Sequence, residues 1–279
     1  MKFSERIEAK LRARQPPTHR RSQPMSQEPK VRIAVGIPCY NEAAAVETVI
    51  ADWRRSLPEA EIHIFDNNST DGTGDLAAKL GIPVHRVPEQ GKGWAVRAIF
   101  RELSSWDIVI MVDGDGTYPA DAARALTVPI LEGRADGTVG ARRPVAEPDQ
   151  KAMSPVRGLG NVLIRAAFRV LIGRGPGDLL SGYRAFSRKF RETVRLRSTG
   201  FEIETELASE AVARGLRVEE IPVSYYKRIA GTQSKLNAAR DGARILIMIL
   251  KQSLRLRPWR PLMLTLGLIG VGWLISRCF

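Results

Sequence analysis

The sequence predicts an α/β fold, a mainly parallel sheet with helices on both of its faces. Three observations predict it. Short apolar runs alternate with helical stretches from Val31 onward, the pattern of repeated βαβ units. The run Ile108–Val112 (IVIMV) is apolar throughout, as a strand buried on both faces requires. Three of the strand-like runs end in clusters of Asp, Asn, Ser and Gly, and open α/β sheets bind ligands beyond the carboxyl ends of their strands.

The elements follow in order. Val31–Pro38 (VRIAVGIP) reads as the first strand and Glu42–Ser56 as its helix. Glu61–Asp66 (EIHIFD) reads as a second strand, with a helix near Gly74–Leu80. Val84–Val87 is a short third strand, Gly93–Leu103 a helix, Ile108–Val112 the fourth strand and Asp121–Glu132 a further helix. This α/β domain is expected over 31–237. Before it, residues 1–30 mix eight Lys and Arg with Gln, Pro and Ser and hold no apolar run suited to a signal peptide; they read as a basic flexible arm. After it, 238–258 read as an amphipathic helix lying in a membrane interface, since ARILIMILKQSLRLR sets an apolar stripe among Arg244, Lys251, Arg255 and Arg257. Residues 259–279 read as a membrane-anchoring segment: Pro261–Ser276 carries no charge, with Trp259 before it and Trp273 within it. The basic flank predicts that everything before Pro261 is cytoplasmic.

The chain has 279 residues, 44% apolar and 26% charged, which excludes a wholly disordered chain and a polytopic membrane protein. Two cysteines, Cys39 and Cys278, make no disulfide framework and favour a reducing compartment. With 43 Lys and Arg against 30 Asp and Glu, the net charge is +13, and such an excess suits nucleic acid, an anionic membrane or a phosphorylated substrate. No RRM, zinc or helix-turn-helix signature is present, so nucleic acid is the remotest of the three.

The strand-end clusters are Pro38-Cys39-Tyr40-Asn41-Glu42, then Asp66 through Thr73, then Asp113-Gly114-Asp115. Each alone suits turns and helix caps; their convergence on one rim points to a site. Two carboxylates as close as Asp113 and Asp115 repel unless a cation lies between them. Mg²⁺ or Mn²⁺ would satisfy them and leave positions for phosphate oxygens. Asp66 suits a ribose or base contact. Gly91-Lys92-Gly93 opens a helix where amides and a Lys can meet phosphate. No Walker A loop or G-x-G-x-x-G is present, which disfavours a dinucleotide dehydrogenase. The sum is a nucleoside-diphosphate site holding a divalent cation.

The runs IPCYNE, DNNSTDGT, GKGWAVR and VDGDGTYPAD resemble the family 2 glycosyltransferases of the GT-A fold. GARR, SGYRAFSR, GFEIETEL and RIAGTQSKL resemble the branch that contains dolichyl-phosphate mannose synthases and polyprenyl-phosphate glucosyltransferases. The resemblance spans about Val31 to Leu250 with the motifs in the same order. It implies transfer, with inversion, of mannose or glucose from GDP-mannose or UDP-glucose to a polyprenyl phosphate at the membrane; the alternative it leaves is a soluble acceptor such as phosphoglycerate.

By the same resemblance Pro38, Tyr40, Glu42, Asp66 and Lys92 hold the donor, and Asp113 and Asp115 the metal. Thr117 stands where close relatives often have Gln, so water would take that contact. Arg142 and Arg157 match arginines that bind the acceptor phosphate, and Asn161 stands where some relatives have Ser. Arg228, Ser234 and Lys235 match a loop that closes over the donor. Arg184, Glu202 and Glu204 rank lower, the two Glu as sugar contacts or as a base for an alcohol acceptor. A phosphate acceptor needs no base, because at pH 7 its second ionisation, with a pKa near ~6, is largely complete.

Overall fold

The computed structural model describes residues 31–144, 155–235, 237–261 and 263. The elements are β1 (Ile33–Cys39), α1 (Ala43–Ser56), β2 (Glu61–Asp66), α2 (Thr73–Lys79), β3 (Val84–Arg86), α3 (Lys92–Glu102), β4 (Ile108–Met111), a 3-10 turn (Ala120–Ala122), α4 (Ala123–Leu131), β5 (Gly137–Pro144), α5 (Pro155–Leu171), β6 (Arg184–Ser187), α6 (Arg188–Thr193), α7 (Ile203–Ala213), β7 (Val218–Tyr225) and α8 (Ala238–Leu256). The strands and helices expected over 31–132 are all present, with ends shifted by a residue or two, as fraying termini allow. One differs in kind: Asp121–Glu132 divides into the 3-10 turn and α4. Pro129, which offers no backbone donor, sits two residues before the end of α4.

The strands form one seven-stranded sheet in the order β3-β2-β1-β4-β6-β5-β7. Pairs β1–β2, β1–β4, β2–β3 and β5–β7 are parallel. The sheet is mixed because β6 runs antiparallel to both β4 and β5. Alternation along β1 builds the two apolar layers, since successive side chains leave on opposite faces. Ile33, Val35 and Ile37 meet Val46, Val49, Ile50 and Trp53 of α1 on one face. Ala34 meets Ala95, Val96 and Ile99 of α3, with Ile203 and Leu207 of α7, on the other. A third cluster lies between α5 and α8, where Ile164 and Phe168 face Ile245, Met248 and Ile249.

The expected amphipathic helix over 238–258 is α8. Asn237 caps it, its side chain accepting from Arg240 N at 3.0 Å while Asp241 accepts from Asn237 N at 2.7 Å, a reciprocal cap of two otherwise unpaired donors. Its inward residues recur at helical spacing (Ile245, Met248, Ile249, Gln252, Ser253). Leu246, Ile247, Leu250 and Leu254 are exposed on α8, as are Val162, Leu163 and Val170 on α5. Among the described residues, no helix is long and apolar enough to cross a membrane. Most of the expected anchor over 259–279, and the whole of the expected arm over 1–30, lie outside the described residues.

Candidate active site

The sheet register places the three clusters on one rim. Cys39 ends β1 opposite Asp66 at the end of β2, and Gly36 of β1 pairs with Met111 of β4, two residues before Asp113. The loops after β1 and β2 are knitted together. Asn41 and Asn68 take left-handed φ angles of 53° and 64°, which Asn tolerates better than most residues. Asn41 N donates to Ser69 Oγ at 3.0 Å, Thr70 N to Asn41 Oδ1 at 2.8 Å, Glu42 N to Thr73 Oγ1 at 2.9 Å and Ala43 N to Asp71 Oδ2 at 3.0 Å. Much of the DNNSTDGT run is therefore scaffold for the β1 loop. Asp66 is nearly buried and accepts from Ser69 N and from Arg86 Nη1, both at 3.1 Å.

At the centre of the rim lie two ion-pair systems. Lys92, at the start of α3, reaches Asp113 Oδ1 at 2.6 Å and also pairs with Glu204 of α7. Burial alone would push the Lys92 ammonium down, but Asp113 and Glu204 outweigh it and hold the group charged, above its usual range. Glu204 is itself buried, which pushes its carboxyl up, with Lys92 opposing. Asp115 is the second centre. Its Oδ1 accepts from Thr117 N at 3.0 Å and Thr117 Oγ1 at 2.7 Å, and its Oδ2 pairs with Arg228 Nη1 at 2.6 Å. The chain after β7 is bonded back along this segment, Tyr226 N to Thr117 O at 2.9 Å and Ile229 N to Asp115 O at 3.2 Å, and so carries Arg228 over the carboxylates. Lys235 follows, donating to Asn41 O at 3.3 Å with its ammonium 5.9 Å from the Tyr40 ring centroid.

Two glycines are required by closeness. A Cβ at Gly114 would stand 2.6 Å from Cys39 Sγ, and one at Gly182 would strike the Asp113 carboxylate. The SGYR turn is thereby packed under the first Asp of the pair.

Glu42 lies between Arg228 and Lys235, at 3.7 and 3.9 Å, with Oε2 buried and unpartnered. Burial, opposed by Lys235 and reinforced by Asp115, pushes its carboxyl up to about 7. A carboxyl raised in the folded state favours folding at low pH and loses that advantage as pH rises through its folded value. Glu42→Gln is therefore expected to raise Tm at pH 8 by the equivalent of up to about 3 kcal/mol and to change it little at pH 4.5, where both forms are neutral. Thermal melts of both proteins across that range check it, and a gain independent of pH would contradict it.

The rim thus unites Tyr40, Glu42, Lys92, Asp113, Asp115, Arg228 and Lys235, with Pro38 and Asp66 on the adjoining strand ends. Arg142 stands outside the ion-pair cluster on β5, with Nε and Nη2 bound by Asp178 at 2.8 and 2.7 Å. Asn161 sits on α5, and Arg157 lies in the first turns of the same helix with its side chain outside the described residues. Ser234 is exposed. Arg184, weighed as a surface or site charge, is instead buried and donates to Ser181 O and Leu179 O. Of the two glutamates, Glu204 serves Lys92, while Glu202 accepts from Gly200 N at 3.1 Å. Sequence reasoning missed Asp178 and the use of Glu204 as a counter-charge; the contact of Asp178 with Arg142 and the burial of Glu204 against Lys92 are not readable from residue type.

The donor set fits a divalent cation. Asp113 and Asp115 supply hard oxygen ligands, and each already carries a positive group of this chain, Lys92 on one and Arg228 on the other. Among the described residues no group of three or more His, Cys, Asp or Glu stands ready to hold a metal. The remaining ligands would come from phosphate oxygens or water.

The chain is similar to known proteins in sequence and in fold. The family model "Glycosyl transferase family 2" matches residues 34–194. Glycosyltransferase AglJ of Haloferax volcanii is 37% identical over 221 residues, 79% of this chain and 72% of AglJ. Polyprenol monophosphomannose synthase of Mycolicibacterium smegmatis is 29% identical over 232 residues, 77% of this chain and 85% of the synthase. Glucosyl-3-phosphoglycerate synthase from Mycobacterium tuberculosis, solved with Mn²⁺, UDP and glucosyl-3-phosphoglycerate, has a TM-score of 0.60 and 22% identity over 81% of this chain and 80% of that one, a likeness of fold. The match covers β1 through α6 and includes the clusters that form the rim, so the chain is a glycosyltransferase and belongs to glycosyl transferase family 2.

Proposed function

We propose that this enzyme transfers a hexose from a nucleoside-diphosphate sugar to the phosphate of a polyprenyl phosphate at a membrane surface. The observation that carries the reading is the rim itself, where Asp113 and Asp115 stand with Lys92 and Arg228 on their carboxylates. Cations and metal-ligating carboxylates so placed suit a diphosphate on one side and a phosphate acceptor on the other. The family relationship to a polyprenol monophosphomannose synthase supports the acceptor class. The exposed apolar residues of α5 and α8, set among exposed Arg165, Arg169, Arg244 and Lys251, support the membrane surface.

Asp66 takes the nucleoside. Lys92 draws the donor phosphates toward the strand ends and is held charged for that work by Asp113 and Glu204. Asp113 and Asp115 would hold Mg²⁺ or Mn²⁺, which supplies positive charge to the departing diphosphate. The acceptor phosphate is ionised near pH 7 and attacks without a base: its oxygen bonds to the anomeric carbon as the bond from that carbon to the β-phosphate oxygen breaks. The nucleoside diphosphate leaves with the electron pair and the anomeric centre inverts. Glu204 has no proton to remove, in keeping with its pairing to Lys92. Arg142, Arg157 and Asn161 receive the acceptor phosphate, and Arg228, Ser234 and Lys235 close over the donor.

Incubation with labelled GDP-mannose or UDP-glucose, Mn²⁺ and farnesyl phosphate in phosphatidylglycerol-containing vesicles is expected to yield a lipid-extractable labelled product. Transfer to phosphoglycerate without vesicles, in place of that product, would replace the acceptor in this reading; no transfer from either donor would remove it.

A further inference from the structure

We propose that Asp178 is a positioning residue for the acceptor phosphate, holding the Arg142 guanidinium so that its unused edge faces the incoming group. The inference rests on the reading that Arg142 grips that phosphate. Asp178 lies in the connection between α5 and β6, remote in sequence from β5, and engages Arg142 three times. Arg142 Nε donates to Oδ2 at 2.8 Å, Nη2 to Oδ1 at 2.7 Å, and the Arg142 backbone N to Oδ2 at 3.1 Å. The parallel side-chain pair is the fork geometry in which guanidinium and carboxylate lock each other in one plane.

Two further contacts fix that plane. The guanidinium carbon stands 5.4 Å from the centroid of the Tyr225 ring, and Asp178 N donates to Glu220 Oε1 at 2.9 Å, tying the carboxylate-bearing loop to β7. The Tyr225 ring meets Tyr118 edge-on, and Tyr118 OH accepts from Gly182 N at 3.1 Å, beside the turn packed under Asp113. The plane of Arg142 is thus referenced to the same turn that positions the metal-ligating pair.

A guanidinium has five N–H donors; Asp178 takes one from Nε and one from Nη2, which leaves the Nη1 edge. Arg142 and Asp178 are both partly accessible, with side-chain exposures of 27% and 19%, so the pair lies within reach of a ligand. Asp178 also opposes the phosphate electrostatically, since its charge offsets that of Arg142. The fork has the larger effect: an unanchored arginine samples many rotamers, whereas one held in plane meets a phosphate with its donors already aligned. A lysine could not substitute, having no fork to lock.

The test is calorimetric titration of farnesyl phosphate into the protein saturated with Mn²⁺ and UDP. Asp178→Asn is expected to weaken farnesyl phosphate binding about ten-fold, and Asp178→Glu to restore it to within about three-fold, because the carboxylate fork returns. Binding of UDP with Mn²⁺ should be unchanged in both, which a merely structural role would not spare. Binding of farnesyl phosphate at wild-type strength or tighter in Asp178→Asn overturns the proposal, and so does an equal loss of UDP binding. Should Asp178→Asn not fold, Arg142→Lys, which keeps the charge and removes the fork, is expected to show the same ten-fold loss; wild-type affinity there overturns it too. Arg142→Ala separates the two levels of inference. If it binds farnesyl phosphate normally, Arg142 is not the phosphate ligand and the underlying reading fails; if it loses binding while Asp178→Asn does not, positioning alone fails.

Discussion

Asp115→Asn is expected to lower hexose transfer by about 10²–10³-fold while the fold survives, the scale seen when one preorganised electrostatic contact to a transition state is removed. The substitution is close to isosteric. An Asn carbonyl oxygen can still accept from Thr117 N and Oγ1, which now bind Asp115 Oδ1, so the local turn keeps its hydrogen bonds. What is lost is the charge at Oδ2, where Arg228 now stands at 2.6 Å. An amide in that place turns an N–H donor toward a guanidinium that has only donors of its own. Arg228 loses its nearest partner and keeps Glu42 at 3.7 Å, while the backbone bonds from Tyr226 N to Thr117 O and from Ile229 N to Asp115 O still hold the segment. A divalent cation held between Asp113 and Asp115 would lose one of its two carboxylates in the same stroke. Circular dichroism and a Tm near the wild-type value would show the fold intact, and the stabilisation of the protein by Mn²⁺ with a nucleoside diphosphate should shrink. Wild-type turnover in Asp115→Asn would remove the metal argument and the role of Arg228 together.

The parts of this molecule legible in the sequence are those whose cause is local. IVIMV is apolar on both faces because β4 lies in the middle of the sheet, and that can be read without knowing its neighbours. The Asp, Asn and Gly of the strand ends announce turns for the same reason. The direction of β6 was not legible, because it depends on pairing with β4 and β5, chain-distant partners that no window contains. The site divides along the same line. Asp113 and Asp115 advertise themselves by their spacing, and Lys92 by the glycines beside it. Asp178 is a lone Asp in a connecting loop, and only folding brings it against Arg142. Glu204 was ambiguous for a related reason: GFEIETEL offers two glutamates, and burial against Lys92 selects one of them. The DNNSTDGT run shows the opposite, since most of its polar side chains bind the neighbouring loop, while Asp66 is held by Ser69 N and Arg86.

Lys92→Met should be the most destabilising single change at the rim. Glu204 is 3% exposed and pairs with Lys92, so removing the ammonium strands a buried carboxylate, a loss of about 3–5 kcal/mol. For a chain of this size that corresponds to a fall in Tm of roughly 10 °C. The pH dependence identifies the cause. Burial already pushes the Glu204 carboxyl up, and Lys92 is the leading opposing influence; without it the carboxyl rises further. A raised carboxyl favours folding at low pH and disfavours it as pH climbs through its folded value. Lys92→Met should therefore approach wild-type stability toward pH 5 and fall away from it toward pH 8. The double variant Lys92→Met/Glu204→Gln removes the stranded charge and should regain most of the Tm at pH 8, the non-additivity expected of partners in direct contact. On the proposed role of Lys92 in meeting the donor diphosphate, it should regain no transfer. A double variant as unstable as Lys92→Met would place the loss in packing, and one as active as wild type would take Lys92 out of donor binding.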